Sequence, residues 1–325
     1  MCRVRRCPSK ITPRPGGSFF CFNVDLDSGH GPRMALSGEE VIALVRMALK
    51  EDLGRGDITT QSIVPATART TAHMVAREPM TVAGLEMAEL TFRELSAAVH
   101  ITRHATDGEA VERGRKLLVL SGPTGPILTA ERVALNFVQR LSGVATLTAQ
   151  YVAAVKGTQA QILDTRKTTP LLRRLEKYAV ACGGGKNHRM SLDDLILIKD
   201  NHVAALAGES SKPIQLAVRR ARQADAYTKI EVEADTLDQV REAVEAGANI
   251  VLLDNMTVGM LKEAVAIVKG RAKTEASGGV NLDSVRSIAE TGVDFISVGA
   301  LTHSARSVDI ALDFDEGGTK TNPDV

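Results

Sequence analysis

The chain has no tryptophan, and aromatic residues make up 3% of its 325 residues. Platforms that stack bases of single-stranded nucleic acid are built from such rings, so that class is set aside. Aliphatic runs such as residues 195–198 are about four residues long, far below the roughly 20 needed to span a bilayer. Charge of one sign is not in excess: 40 Lys and Arg oppose 39 Asp and Glu, leaving no global field for a polyanion or an anionic membrane. Cysteine is scarce and lopsided, with Cys2, Cys7 and Cys21 near the start and Cys182 deep in the chain, unlike a secreted disulfide scaffold. What remains is a soluble intracellular globular protein of enzyme type, long enough for two domains or one large barrel.

Residues 1–33 stand apart. Six basic residues face only Asp25 and Asp27, and Pro8, Pro13, Pro15 and Pro32 interrupt any periodicity. This is the composition of a disordered leader or of a start placed upstream of a working protein that begins near Met34. A mitochondrial import signal would also be basic and poor in acids, but no amphipathic helix stands out. The expectation is a cytoplasmic enzyme.

From Ser37 the pattern is regular. Ser37-Gly-Glu-Glu precedes apolar residues at 41, 44, 45 and 48, the signature of a capped amphipathic helix. Short β-like runs follow at 70–76, 80–82, 100–102 and 117–121, with a helix at 88–97 among them. Strands and helices without strict alternation predict an α+β sandwich with an antiparallel sheet. One long helix is predicted over 131–156 from its single apolar stripe. Beyond it, six aliphatic segments recur: Gln161-Ile-Leu-Asp, Leu195-Ile-Leu-Ile, Lys229-Ile-Glu-Val-Glu, Ile250-Val-Leu-Leu-Asp, Thr274-Glu-Ala-Ser and Phe295-Ile-Ser-Val-Gly. Their spacing of roughly 20 to 35 residues, with helical patterns at 236–246, 257–268 and 282–290, is that of βα units on a parallel sheet. The fold expectation is α/β: an N-terminal α+β sandwich over 34–131 and an incomplete α/β barrel of about six strands over 132–306. Residues 307–318 are expected to return to the sandwich.

In such a barrel the active site lies at the carboxyl ends of the strands. Those ends carry Asp164-Thr-Arg-Lys, Lys199-Asp-Asn-His, Glu233, Asp254-Asn, Ser277-Gly-Gly and Gly299-Ala-Leu-Thr-His. Arg166, Lys167, His188, Arg189 and Lys199 suit carboxylate or phosphate. Glu233 and Asp254 are hard oxygen donors for Mg²⁺ or ribose hydroxyls. The two glycine-bearing turns suit a phosphate. Other readings fit less well. Gly183-Gly-Gly-Lys lacks phosphate-loop spacing, with Asn187 where Ser or Thr is needed. Cys182, His188, His202 and His303 lack the pair spacings of a zinc site. A Schiff-base Lys199 would leave the arginines and acids without a role. His202 and His303 also read as loop or core histidines, and Lys186 and Asn201 as structural.

The run Thr165-Arg-Lys-Thr, Lys177-Tyr-Ala-Val, Gly183-Gly-Gly, Asn187-His-Arg and Ile198-Lys-Asp-Asn-His resembles the quinolinate phosphoribosyltransferase (carboxylating nicotinate-nucleotide pyrophosphorylase) family. The likeness extends over about 34–316, through Gly56-Asp-Ile-Thr-Thr, Glu131-Arg at the start of the long helix, Leu141-Ser-Gly-Val-Ala-Thr, Glu231-Val-Glu, Leu253-Asp-Asn, Ser277-Gly-Gly and Ser297-Val-Gly-Ala. Leu171 and Ser191 stand where glycine is common in the family, and residues 206–216 form an altered connection. The resemblance implies transfer of a phosphoribosyl group from 5-phosphoribosyl 1-diphosphate to quinolinate, with loss of CO₂, for NAD biosynthesis. It implies a quinolinate pocket of Arg166, Lys167, His188, Arg189 and Lys199, completed by Arg132 from the other subunit of a homodimer. It implies Mg²⁺ and ribose contacts at Glu233 and Asp254, through water for the metal. Phosphate contacts fall on Ser277, Gly278, Gly279, Gly299 and His303, and the catalytic set is Lys167, Lys199, Glu233 and Asp254. A relative acting on another pyridine would be told apart by whether Arg132, Arg166 and Arg189 meet one dicarboxylate. An idle binding protein would have lost Lys167, Glu233 or Asp254, and all three are present.

Overall fold

Two sheets of unlike character organise residues 38–315, the part of the chain that the computed structural model describes. The leader 1–33 and Ser37, the expected first cap, lie outside those residues. Helices α1 (Glu39–Leu53) and α2 (Ile58–Ile63) come first. Strands β1 (Arg69–Ala76) and β2 (Met80–Thr81), helix α3 (Leu85–Leu95), and strands β3 (His100–Arg103), β4 (Ala110–Val111) and β5 (Lys116–Pro123) follow. Then comes the 31-residue helix α4 (Thr124–Ala154). The second half runs β6 (Gln161–Leu163), α5 (Arg173–Cys182), β7 (Ile196–Ile198), α6 (Asp200–Ala204), α7 (Pro213–Ala224), β8 (Ile230–Ala234), α8 (Leu237–Glu245) and β9 (Ile250–Asp254). It ends with α9 (Val258–Val268), β10 (Lys273–Ser277), α10 (Val285–Ala289), β11 (Phe295–Ser297), α11 (Ala300–His303) and β12 (Ile310–Phe314).

The first sheet is antiparallel in the order β12-β1-β5-β3. Its apolar face, with Met74, Leu118 and Leu120, closes on Phe92 of α3 and on Ile127, Ala134 and Val138 of α4. The second sheet is parallel in the order β6-β11-β10-β9-β8-β7, so all six predicted strands are present. Val232, Val251, Leu253, Ala276 and Ile296 join the larger core. The alternate positions, Glu231, Glu233, Asp254, Glu275, Ser277 and Ser297, share the other face by period-2 geometry. The end strands β6 and β7 do not pair with each other, which leaves the barrel incomplete. Part of the gap is filled by Lys186, which makes a one-residue parallel bridge to Leu163.

Two helix boundaries shift. The long helix begins at Thr124, not 131: Pro123 stands at its N-cap with φ −60°, and Pro126 falls in the first turn, where a missing N–H costs nothing. Glu131 and Arg132 therefore sit two turns inside the helix, and the boundary expected at 131 falls within it. The helix expected at 88–97 is Leu85–Leu95, because Asp107 accepts from the Gly84 and Leu85 N–H groups at 3.0 and 3.2 Å. That cap comes from 22 residues downstream, beyond the reach of local pattern.

Leu171 adopts φ +68° and its side chain is 81% exposed. A left-handed leucine costs roughly 1 kcal/mol, and there is no packing to offset it. Leu171→Gly should therefore raise stability by about 0.5–1 kcal/mol in a urea denaturation series. A fall instead would mean that this side chain is covered in the working assembly.

Candidate active site

The pocket is assembled on a fully buried charge pair. Asp164, just past β6, and Lys177 of α5 are both 0% exposed and bonded to each other. Lys177 Nζ also donates to the His188 carbonyl (2.8 Å), and Asp164 Oδ1 accepts from the His188 N–H (2.9 Å). Burial pushes the Asp164 carboxyl up to about 6 against the pull of Lys177, and it holds Lys177 below the usual lysine range. Glu176, also fully buried, accepts from Thr169 N–H (3.0 Å), the Thr169 hydroxyl (2.8 Å) and Arg140 (2.6 Å). These contacts fix the loops that carry Arg166-Lys167 and His188-Arg189.

Arg189 lies within reach of the charge of Arg166. Arg189 is buried and donates Nη1 to the Leu195 carbonyl at 3.1 Å. Burial first, and then the charge of Arg166, hold it below the ordinary arginine range. Arg166 Nε is buried without an acceptor. Two like charges with an unmatched donor, held in place by a buried scaffold, form a receptor for a planar anion.

Along the rim, Lys199 Nζ lies 2.7 Å from Glu233 Oε2. His202 Nδ1 accepts the Lys199 N–H at 2.9 Å, so His202 closes the first turn of α6, in keeping with its structural reading. The Asp254 carboxyl is raised by burial first and by Glu233 second, and Asn255 Nδ2 donates to it at 2.6 Å. Gly278 has φ +96°, and a Cβ there would fall 2.1 Å from Asn255 Oδ1. Only glycine fits at that position, so the loops after β9 and β10 lock together. Gly279 also has a positive φ, of +61°, with open space where a side chain would go. At the last strand, Thr302 Oγ1 donates to the Lys167 carbonyl at 2.8 Å. A Cβ on Gly299 would lie 3.1 Å from His303 Nε2 and 3.2 Å from Lys167 Cδ, which brings Lys167, Gly299 and His303 together.

Two of the predicted residues stand apart from this group. Arg132 is exposed on α4 and makes no hydrogen bond or ion pair among the described residues. His188 is turned inward. Its Nδ1 accepts the Arg189 N–H at 2.7 Å, and its Nε2 lies 3.0 Å from Glu231 Oε2 and 3.5 Å from Glu275 Oε2. Both ring nitrogens are engaged within the protein, so His188 presents a ring face rather than an N–H to a bound anion. Burial drives the Glu231 carboxyl up to about 7; burial and the facing Glu231 drive Glu275 up to about 8. Sequence reasoning missed Asp164, Lys177, Glu231, Asn255 and Glu275 as site-builders. The signal for the two glutamates was an acid one strand-repeat deeper than the strand end.

Comparison with known proteins agrees along the chain. Residues 57–142 match the family model for the quinolinate phosphoribosyl transferase N-terminal domain, and residues 144–313 match that for its C-terminal domain. The chain is 42% identical over 288 residues to a mitochondrial quinolinate phosphoribosyltransferase [decarboxylating] of Nicotiana glauca, covering 84% of this chain and 81% of that one. It is 44% identical over 264 residues to a probable nicotinate-nucleotide pyrophosphorylase [carboxylating] of Bacillus subtilis, covering 81% and 89%. The solved nicotinate-nucleotide pyrophosphorylase of Francisella tularensis superposes with a TM-score of 0.80 at 40% identity, covering 86% and 98%.

Proposed function

The chain belongs to the quinolinate phosphoribosyl transferase family, and from that membership we propose how its residues carry out the reaction. The enzyme joins quinolinate to 5-phosphoribosyl 1-diphosphate and releases diphosphate, CO₂ and nicotinate mononucleotide, a step of NAD biosynthesis. The observation that carries this reading is the pairing of buried Arg189 with the nearby charge of half-buried Arg166, whose Nε is a donor without an acceptor; together they call for a ligand with paired carboxylates. Arg166 and Arg189 hold the two acid groups, and Lys199 stands at the neighbouring strand end. The donor's phosphates lie against Lys167, Ser277, Gly278, Gly279, Gly299 and His303. As the bond to diphosphate lengthens, positive charge grows on the anomeric carbon, much as in glycoside cleavage. Glu233 and Asp254 face that carbon and stabilise the charge. The pyridine nitrogen then attacks, so no enzyme nucleophile is required. The carboxylate on C2 leaves as CO₂; its electron pair stays on C2 beside the pyridinium nitrogen and is then protonated.

Glu233 and Asp254 suit Mg²⁺. Both are hard oxygen donors on adjacent strands, and the mutual repulsion that raises Asp254 is relieved by a cation. When bound, the ion neutralises the diphosphate leaving group. The purified chain with quinolinate, 5-phosphoribosyl 1-diphosphate and Mg²⁺ should release labelled CO₂ from the 2-carboxylate. Glu233→Gln should lower kcat by about 10²-fold, and EDTA should abolish turnover. Undiminished activity in EDTA would remove the metal from this account.

The proposal includes a homodimer in which Arg132 of one copy reaches the barrel mouth of the other. Support comes from its exposed, unbonded side chain and from Ile58 and Ile63 of the adjacent α2, which are 72% and 74% exposed. It also includes cytoplasmic residence; among the described residues no helix is long and apolar enough to cross a membrane.

A further inference from the structure

Glu231 and Glu275 lie on the same inner face of β8 and β10, 0% and 1% exposed. One oxygen of each and a ring nitrogen of His188 all lie within 4.8 Å of one another. None of the four carboxylate oxygens has a well-aligned hydrogen bond from any described donor; His188 Nε2 approaches Glu231 Oε2 at 3.0 Å as a charge contact. The Ser297 hydroxyl lies 3.5 Å from the Ala276 carbonyl and beside Glu275. Two glutamates and a histidine suggest a metal, but the hydrogen bonding argues otherwise. Because Nδ1 accepts the Arg189 N–H, the ring proton of the neutral imidazole sits on Nε2, which then has no lone pair for a cation. The same ring edge faces the acid pair, 3.0 Å from Glu231 Oε2 and 3.5 Å from Glu275 Oε2.

We propose that Glu231 and Glu275 are positioning residues for the quinolinate pocket: they hold His188 as the Nε2–H tautomer, and His188 in turn holds the backbone of Arg189. The chain of contacts is continuous, from Glu231 Oε2 to His188 Nε2, from His188 Nδ1 to Arg189 N–H, and from Arg189 Nη1 to the Leu195 carbonyl. A half-turn of the ring would break the first two contacts at once, leaving a buried N–H without an acceptor and the acids without a donor. The guanidinium that grips the substrate is then free to drift, and misplacement by even 1 Å is costly. Lys177 holds the carbonyl of the same peptide and Asp164 the N–H of the one before it, so loss of the acid pair loosens Arg189 without unfolding the loop.

This rests on quinolinate being the ligand of Arg189, and the experiment keeps the two questions apart. The tautomer of His188 is read by ¹⁵N NMR on the whole protein without substrate. Nε2–H is expected in the wild type and in Glu231→Gln, whose amide oxygen still accepts, and a mixture is expected in Glu231→Ala and Glu275→Ala. With substrates, the alanine variants should raise the quinolinate KM about tenfold or more, with kcat and the KM for 5-phosphoribosyl 1-diphosphate within about twofold. Glu231→Gln should restore the quinolinate KM. The proposal is overturned by an Nδ1–H ring in the wild type, by an unchanged quinolinate KM in both alanine variants, by a parallel loss of all three constants in folded variants, or by failure of Glu231→Gln to rescue. A wild-type protein inert toward quinolinate but showing the expected tautomer pattern would overturn the substrate and leave the clamp standing.

Discussion

Arg189→Ala is expected to raise the quinolinate KM by roughly 30-fold to several thousand-fold, the equivalent of about 2–5 kcal/mol for one partner of a buried, hydrogen-bonded charge pair. The KM for 5-phosphoribosyl 1-diphosphate should stay within about twofold. Arg189 is 7% exposed, so a carboxylate bound there is desolvated on the protein side, and its removal leaves that carboxylate without a partner. Arg166→Ala should act in the same direction; its Nε is already a buried donor lacking an acceptor. Arg189→Lys separates charge from shape: a lysine keeps the cation and loses the two-pronged fork, so only partial recovery is expected. A near-wild-type quinolinate KM in either alanine variant would take that residue out of the pocket.

The second large effect is on stability. Lys177→Met should cost about 3–5 kcal/mol in equilibrium urea denaturation, because it strands the Asp164 carboxylate in a fully buried site. Asp164 Oδ2 already lacks a hydrogen-bond partner, so the stranded carboxylate would keep only the His188 N–H on Oδ1. The double variant Lys177→Met with Asp164→Leu should recover most of the loss, since replacing both charges with apolar groups removes the desolvation cost along with the attraction. Single variants within about 1 kcal/mol of wild type would mean that water reaches the pair. The variant should also weaken quinolinate binding, because Lys177 holds the His188 carbonyl.

Much of the fold was legible in one dimension. The six parallel strands announced themselves as short apolar segments at βα spacing, and their polar ends pointed to the catalytic rim. Glycine and asparagine at 278 and 255 were legible as a motif, but the reason for them, a side chain pressed against a missing Cβ, lies across two strands. The early start of α4 was hidden because Pro123 and Pro126 read locally as a turn, whereas a helix accepts proline in its first turn. The one-residue bridge at Lys186 has no length to carry a pattern.

Local periodicity determined which residues could share a face, because side chains alternate along a strand and recur along a helix whatever the neighbours. It could not determine which distant residues meet on that face. Glu231 and Glu275 are 44 positions apart in the chain and are joined only through the β8-β9-β10 order of the sheet. The inward turn of His188 depends on Asp164 and Lys177, which hold its N–H and its carbonyl from the end of β6 and from α5. Burial, which pushes those acids toward their neutral forms, is a property of the assembled six-stranded sheet and its helices and of no segment within them.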